Sequence, residues 1–170
     1  MEIQLLKLGE EDVLPFKKDM QEAFQKGFEE VYGETEEQIL PEADIDSSLE
    51  EKGAVAYKAV LGKEMVGGAV IAIEGEGRHA HLFLLYVKHG VQARGVGHAI
   101  WKGIEAAHPE VEVWETCTPC FEKRNIYFYV EKCGFQIVER RQDDGPQPED
   151  QHGASADDGG MFIFQKRMRV

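Results

Sequence analysis

Basic residues are scarce in this chain: 19 Lys and Arg stand against 32 Asp and Glu in 170 residues, a formal net charge of −13 at pH 7. A nucleic-acid backbone or an anionic bilayer is held by clustered Lys and Arg. The balance therefore excludes nonspecific nucleic-acid binding and docking on a membrane, and it favours a neutral or cationic small partner. Long apolar runs are also missing. None approaches the roughly 20 residues needed to cross a bilayer, and residues 1–11 lack the basic start and apolar stretch of a signal peptide, so a cytoplasmic protein is expected. Cysteine is limited to Cys117, Cys120 and Cys133, which is too few and too odd a number for a disulfide framework; reduced thiols are expected. There is no internal repeat, no Gly-x-Gly-x-x-Gly dinucleotide fingerprint and no Gly-x-x-x-x-Gly-Lys-Ser/Thr nucleotide loop.

What is present, at 42% apolar residues, suffices for one domain with a real core, spanning residues 1–170. Residues 2–8 read as a short strand. Val13, Phe16, Met20, Phe24, Phe28 and Val31 recur at helical spacing over 10–32, with Pro15 in the first turn. Residues 34–51 form an acid-rich helix-and-loop segment. Two strands over 54–61 and 64–74 flank Gly62-Lys63, a hairpin signal, because glycine adopts the positive φ that tight turns require. A long strand over 78–87, a helix over 95–108, a strand over 111–116, a helix over 122–132 and a strand over 135–140 follow. Residues 142–160, rich in Asp, Gly, Pro and Gln, read as a mobile loop before a last strand over 161–168. The pattern predicts an α/β fold, mainly antiparallel at its start and strand-helix-strand-helix-strand over 78–140.

The acids are unevenly distributed. Residues 77–104 carry Arg78, Lys88, Arg94 and Lys102 and not one Asp or Glu, where the chain average would place roughly five. Within this window the run Gln92-Ala93-Arg94-Gly95-Val96-Gly97 leaves a strand and enters a helix through two glycines. Backbone N–H groups at a helix start have no intrahelical partner and sit at the positive end of the helix dipole, so they bind anions, and glycine lets a phosphate approach the main chain. Tight packing of the helix on the sheet would equally explain the two glycines.

The run from Gln92 to Gly97, preceded five residues earlier by the strand end Val87, resembles the Gln/Arg-x-x-Gly-x-Gly/Ala signature of the GNAT acetyltransferase superfamily. Asn125, Tyr129 and Gly134-Phe135 resemble the same superfamily's later helix and the strand after it. The resemblance implies a single-domain α/β fold, a mixed, mostly antiparallel central sheet flanked by helices. It also implies acetyl transfer from acetyl-coenzyme A, as cosubstrate, to an acceptor that is usually a primary amine. Carried over by position, the backbone of Leu85 and Val87 would pair with the pantetheine arm, the N–H groups of Gln92, Ala93, Arg94, Gly95, Val96 and Gly97 would hold the pyrophosphate, and Asn125 would bond the pantetheine or its neighbouring backbone. The acid-free window then has a cause, since coenzyme A is polyanionic.

By the same resemblance Tyr129 is the general acid for the departing sulfur, with Tyr127 the fallback if the helix is rotated. A primary ammonium must lose a proton before attack, and a histidine suits that task. Period-two alternation puts His81, Phe83, Leu85 and Val87 on one strand face, and some amine acetyltransferases of the superfamily have a histidine where His81 stands. Four strand residues at about 3.3 Å each keep His81 roughly 13 Å from Leu85, so a proton would travel through water. His79, on the same face, and Glu115, on the neighbouring strand, are alternative bases. Glu34, Glu36, Glu37, Glu42, Asp44, Asp46, Glu50 and Glu51 form an acid run that would attract a cationic acceptor or would simply be a solvated face. Cys117-Thr-Pro-Cys120 has no second pair to complete a structural zinc site, so the cysteines read as incidental ones in a strand-to-helix loop and no metal is expected. The expected partner is a small-molecule amine; a homodimer sharing a sheet edge is compatible with the sequence. Two other readings remain: an acyl-coenzyme A sensor or non-catalytic module on the same fold, and a zinc or redox protein built on the cysteine pair.

Overall fold

Alternation, helical spacing and turn glycines decide the local elements, and the sheet orders them. The computed structural model describes residues 2–91, 95–120, 122–141 and 160–168. After β1 (Ile3–Lys7) a short 3-10 turn leads into α1 (Val13–Tyr32), and α2 (Glu42–Glu50) follows. Next come β2 (Ala54–Leu61), β3 (Glu64–Glu74), β4 (His79–Val87), α3 (Val96–Ala107), β5 (Val113–Pro119) and α4 (Lys123–Tyr127). A π-helical turn over Phe128–Lys132 continues α4, and β6 (Gln136–Arg141) and β7 (Met161–Arg167) complete the order. The predicted loop over 142–160 lies, except for Gly160, outside the described residues.

The seven strands form one sheet in the order β1-β2-β3-β4-β5-β7-β6. All neighbours are antiparallel except β4 and β5, which run parallel because α3 carries the chain back between them. The predicted hairpin is present, with Gly62 at φ 65° between β2 and β3. The central strand β3 is buried from Val66 to Ala72, which is why it reads as a continuous apolar run rather than an alternating one.

Two apolar layers sandwich the sheet. On one face Ile100, Trp101 and Ile104 of α3 pack with Ala69, Ile71, Ala80, Leu82, Trp114, Phe135 and Phe164. On the other, Phe16 and Met20 of α1 and Ile45 of α2 cover Val70 and Tyr86. Val31, predicted to join the α1 stripe, is instead 52% exposed, one residue before the end of the helix. No helix among the described residues is long and apolar enough to cross a membrane.

The structure corrects one prediction about β4. Val70 pairs with Leu84 but Ile71 pairs with Leu82, so Phe83 is an extra residue, a β-bulge. The bulge reverses the phase of alternation. Ala80 and Leu82 before it and Leu85 and Val87 after it all pack in the α3 layer, whereas Leu84 and Tyr86 pack under α1. His81 and Phe83 therefore do not share a face with Leu85 and Val87. In a strand reading His-Leu-Phe-Leu-Leu-Tyr-Val, every residue after His81 is apolar, so no polar position marks the change of phase.

Candidate active site

The parallel ladder between β4 and β5 is short: His79 pairs with Val113, Ala80 with Trp114 and His81 with Glu115. Beyond it the strands splay. The Thr116 hydroxyl donates to the Leu82 carbonyl at 2.9 Å and closes the apex of the gap. From Leu84 to Val87, β4 has β3 partners on one side and no β5 partner among the described residues on the other, so Leu85 and Val87 stand on an edge open to an extended ligand. The bulge and the bond from Thr116 both lie where pairing stops.

At the far end of this gap α3 begins. Gly95 is its N-cap with φ 77° and ψ 13°, a left-handed conformation that a side chain makes costly, and a Cβ added there would meet nothing within 4 Å. The Gly95 carbonyl accepts the first helical bond, from Ala99 N–H at 2.9 Å. That leaves the N–H groups of Val96, Gly97 and His98 without helical acceptors at an open, positively polarised end. Gln92, Ala93 and Arg94, predicted to share in anion binding, lie outside the described residues. Gly97 has a different reason to be glycine: a Cβ there would stand 3.3 Å from the Phe128 ring and 3.5 Å from Val87 Cγ2. Helix packing accounts for Gly97, and the open left-handed cap accounts for Gly95.

Tyr129 sits behind the gap, in the π-helical turn, where the bond from Cys133 N–H to the Phe128 carbonyl spans five residues at 3.0 Å. Its ring lies 5.5 Å from Phe164 and 5.7 Å from Phe135, centroid to centroid. Burial pushes its phenol up to about 12, with the Thr116 hydroxyl pulling weakly the other way. Tyr127, the alternative acid, is 57% exposed and has the Lys132 ammonium over its ring at 5.8 Å; it faces solvent. Asn125 donates from Nδ2 to Thr118 Oγ1 at 3.2 Å and so ties α4 to β5. Thr116 and Thr118 are 4% and 3% exposed, buried polar residues of β5 beside the gap that the sequence pattern did not single out.

His81 lies on the sheet face opposite the α3 layer, in register with Glu115. Its Nε2 is 2.8 Å from Glu74 Oε1, and its ring is parallel to that of Phe83 at an interplanar angle of 4° and 6.0 Å between centroids. Glu115 Oε2 accepts from Gln165 Nε2 at 3.4 Å. Cys117 is exposed and Cys120 buried. Cys117 does not sit in a loop as predicted: Cys117, Thr118 and Pro119 pair with Ile163, Phe162 and Met161 of β7, which extends β5 beyond its expected end, whereas Cys120 lies in the turn that follows the strand. The protein packed around its sulfur and the neighbouring Glu115 carboxylate push the Cys117 thiol upward. Part of the acid run is internally neutralised, since Lys17 lies 2.6 Å from Glu42 and 2.8 Å from Asp46.

Residues 17–135 match the model of the acetyltransferase (GNAT) family. The chain is 41% identical over 173 residues to the uncharacterized protein YrkN of Bacillus subtilis (strain 168), an alignment covering 97% of this chain and 94% of that one. Among solved structures it resembles the PaiA N-acetyltransferase of Thermoplasma acidophilum in complex with coenzyme A, with a TM-score of 0.70, 18% identity and 99% and 100% of the two chains covered. It also resembles a GNAT family acetyltransferase of Elizabethkingia anophelis with acetyl-CoA bound, with a TM-score of 0.70, 17% identity and 98% of each chain covered.

Proposed function

This chain belongs to the GNAT acetyltransferase family, and from that premise we propose that it is an N-acetyltransferase moving an acetyl group from acetyl-coenzyme A to a primary amine of a small, cationic acceptor by direct attack. The observation that carries the reading is the β4–β5 splay, which opens at His81 and Glu115 and runs toward the uncapped N-terminus of α3. The residues fit the donor: an unpaired strand edge suits an amide-bearing arm, and the open glycine cap suits a diphosphate. Both fold relatives described above carry coenzyme A or acetyl-CoA in their structures, which supports the same use of this gap. When bound, the donor supplies an activated acyl carbon and a thiol leaving group.

In this reading Leu85 and Val87 offer backbone groups to the arm, and Val96 and Gly97 offer N–H groups to the diphosphate. Asn125 braces α4 against Thr118. His81 receives, through water, the proton an ammonium must lose. The freed amine nitrogen attacks the acyl carbon as the carbon–sulfur bond breaks; the nitrogen's second proton passes to water as the amide forms, and the departing thiolate takes a proton from water to end as a thiol. Tyr129 holds its proton toward that sulfur. The carboxylates of Glu74 and Glu115 favour a cationic acceptor on the His81 side.

The test is thiol release from acetyl-coenzyme A over a panel of polyamines, aminoglycosides, amino acids and lysine peptides, alongside calorimetric titration with the donor. Release with a cationic small amine supports the proposal. Donor binding with no release across the panel replaces it with an acyl-coenzyme A sensor, and no binding removes both.

A further inference from the structure

We propose that Glu74 is a positioning residue that fixes the tautomer of His81, leaving Nδ1 as the nitrogen that takes the acceptor's proton; the role in transfer rests on the acetyltransferase reading above. Glu74 is the last residue of β3 and stands across from His79 in the antiparallel ladder, with Ala72 across from His81. Its side chain crosses the diagonal of the ladder to reach His81, the separation that long side chains bridge on one sheet face. The contact is 2.8 Å, from Nε2 to Oε1.

An ionised carboxylate can only accept a hydrogen bond, so the short contact requires the proton on Nε2. In the neutral imidazole the lone pair then belongs to Nδ1, which has no hydrogen-bond partner among the described residues. Phe83 limits rotation of the ring from one side. Its place there follows from the bulge, which keeps Phe83 and His81 on the face away from α3. The charged and titratable groups facing His81 are Glu74 from β3, His79 from its own strand and Glu115 from β5, and Glu115 is engaged by Gln165. Among the described residues Glu74 is thus the one carboxylate bonded to the imidazole. When Nδ1 takes a proton, the ring carries a positive charge beside the Glu74 carboxylate, and the proton passes on to solvent after amide formation, so the pair returns to its starting state.

Two readouts test this on the whole chain. Two-bond 1H–15N correlation spectra of the neutral His81 side chain report directly which nitrogen carries the proton. The wild type and Glu74→Gln, whose amide oxygen still accepts, should show the Nε2–H form, whereas Glu74→Ala should show a mixture or the Nδ1–H form. With the best amine of the panel, Glu74→Ala should lower kcat on the order of tenfold, part of what a general base contributes. The KM for acetyl-coenzyme A should stay constant, and Glu74→Gln should recover most of the loss. In a His81→Ala background, Glu74→Ala should add nothing. An unchanged tautomer in Glu74→Ala, equal losses in the Ala and Gln variants, or an undiminished effect without His81 would overturn the assignment. If no amine releases thiol, the transfer reading fails while the spectra still decide whether Glu74 sets the tautomer.

Discussion

Tyr129 shows how much one side chain's surroundings decide. A phenol pushed up to about 12 by burial stays protonated at neutral pH and can donate a hydrogen bond to sulfur as it gains charge. Full proton transfer to a thiolate, whose ordinary pKa is about 8.5, would be uphill. In the proposed reaction the phenol would act on the developing charge as a donor, and Tyr129→Phe should lower kcat by roughly 10²-fold, the scale of acid assistance, with the KM for acetyl-coenzyme A little changed; steady-state thiol release measures both, and an unaltered kcat rules Tyr129 out. The same shift has a consequence for folding. Because the folded state holds this proton more tightly than an unfolded tyrosine at about 10, the stability it contributes is whole below pH 10 and is lost as pH rises toward 12, on the order of 2 kcal/mol. Urea midpoints of the wild type should fall more steeply over that interval than those of Tyr129→Phe. Tyr86 gives an independent prediction: its hydroxyl is buried without a hydrogen-bond partner among the described residues. Tyr86→Phe should thus stabilise the protein, by about 1 kcal/mol, in urea unfolding; a loss of stability would reveal a partner for the hydroxyl.

At the scale of elements, the two glycines that open α3 look alike in sequence and differ in space. Gly95 is needed for its backbone, with φ 77° and open surroundings. Gly97 is needed for its size, since α3 meets Phe128 and Val87 there. Gly95→Ala should therefore cost about 1–2 kcal/mol through conformation alone. Gly97→Val should cost about 1–3 kcal/mol by overpacking, and should also lower turnover, because the ring it displaces precedes Tyr129 in the chain. Paired urea unfolding and kinetic measurements check this. A Gly97→Val protein of wild-type stability would show that the helix contact is looser than the distances imply. The π-helical turn belongs to the same scale. Helical spacing marked residues 122–132 as a single helix, with Tyr129 favoured by the family resemblance and Tyr127 the fallback for a rotated helix. The wider turn over Phe128–Lys132 resolves them, sending Tyr127 to solvent and Tyr129 into the aromatic cluster around Phe135 and Phe164.

Across the whole molecule the charge of −13 is compatible with a polyanionic donor because residues 77–104, which include β4 and the first two turns of α3, contain no acid. Carboxylates gather instead on the His81 side, where Glu74 and Glu115 remain. Attraction between a cationic acceptor and these partly exposed groups is screened by salt over a Debye length of about 10 Å at 0.1 M. The KM for a cationic amine should rise several-fold between low salt and 0.5 M, while that for a neutral amine should hardly change; parallel salt titrations of the two would expose a purely steric acceptor site by giving equal slopes.

The order of elements, the β2–β3 turn at Gly62, the helix opening at Gly95 and the family were legible in the chain itself. Each rests on residues close together in sequence: periodic apolar side chains for the elements, a glycine whose backbone freedom is required for the turn and the helix opening, and the resemblance of the short motifs at 92–97 and 125–135 for the family. The splay between β4 and β5, the phase change at Phe83, the bond from Glu74 to His81 and the separate duties of Gly95 and Gly97 were decided only by the folded sheet. They join residues from different strands and helices through ladder register, and an apolar run such as Leu82 to Val87 looks the same whether or not one of its members is left unpaired.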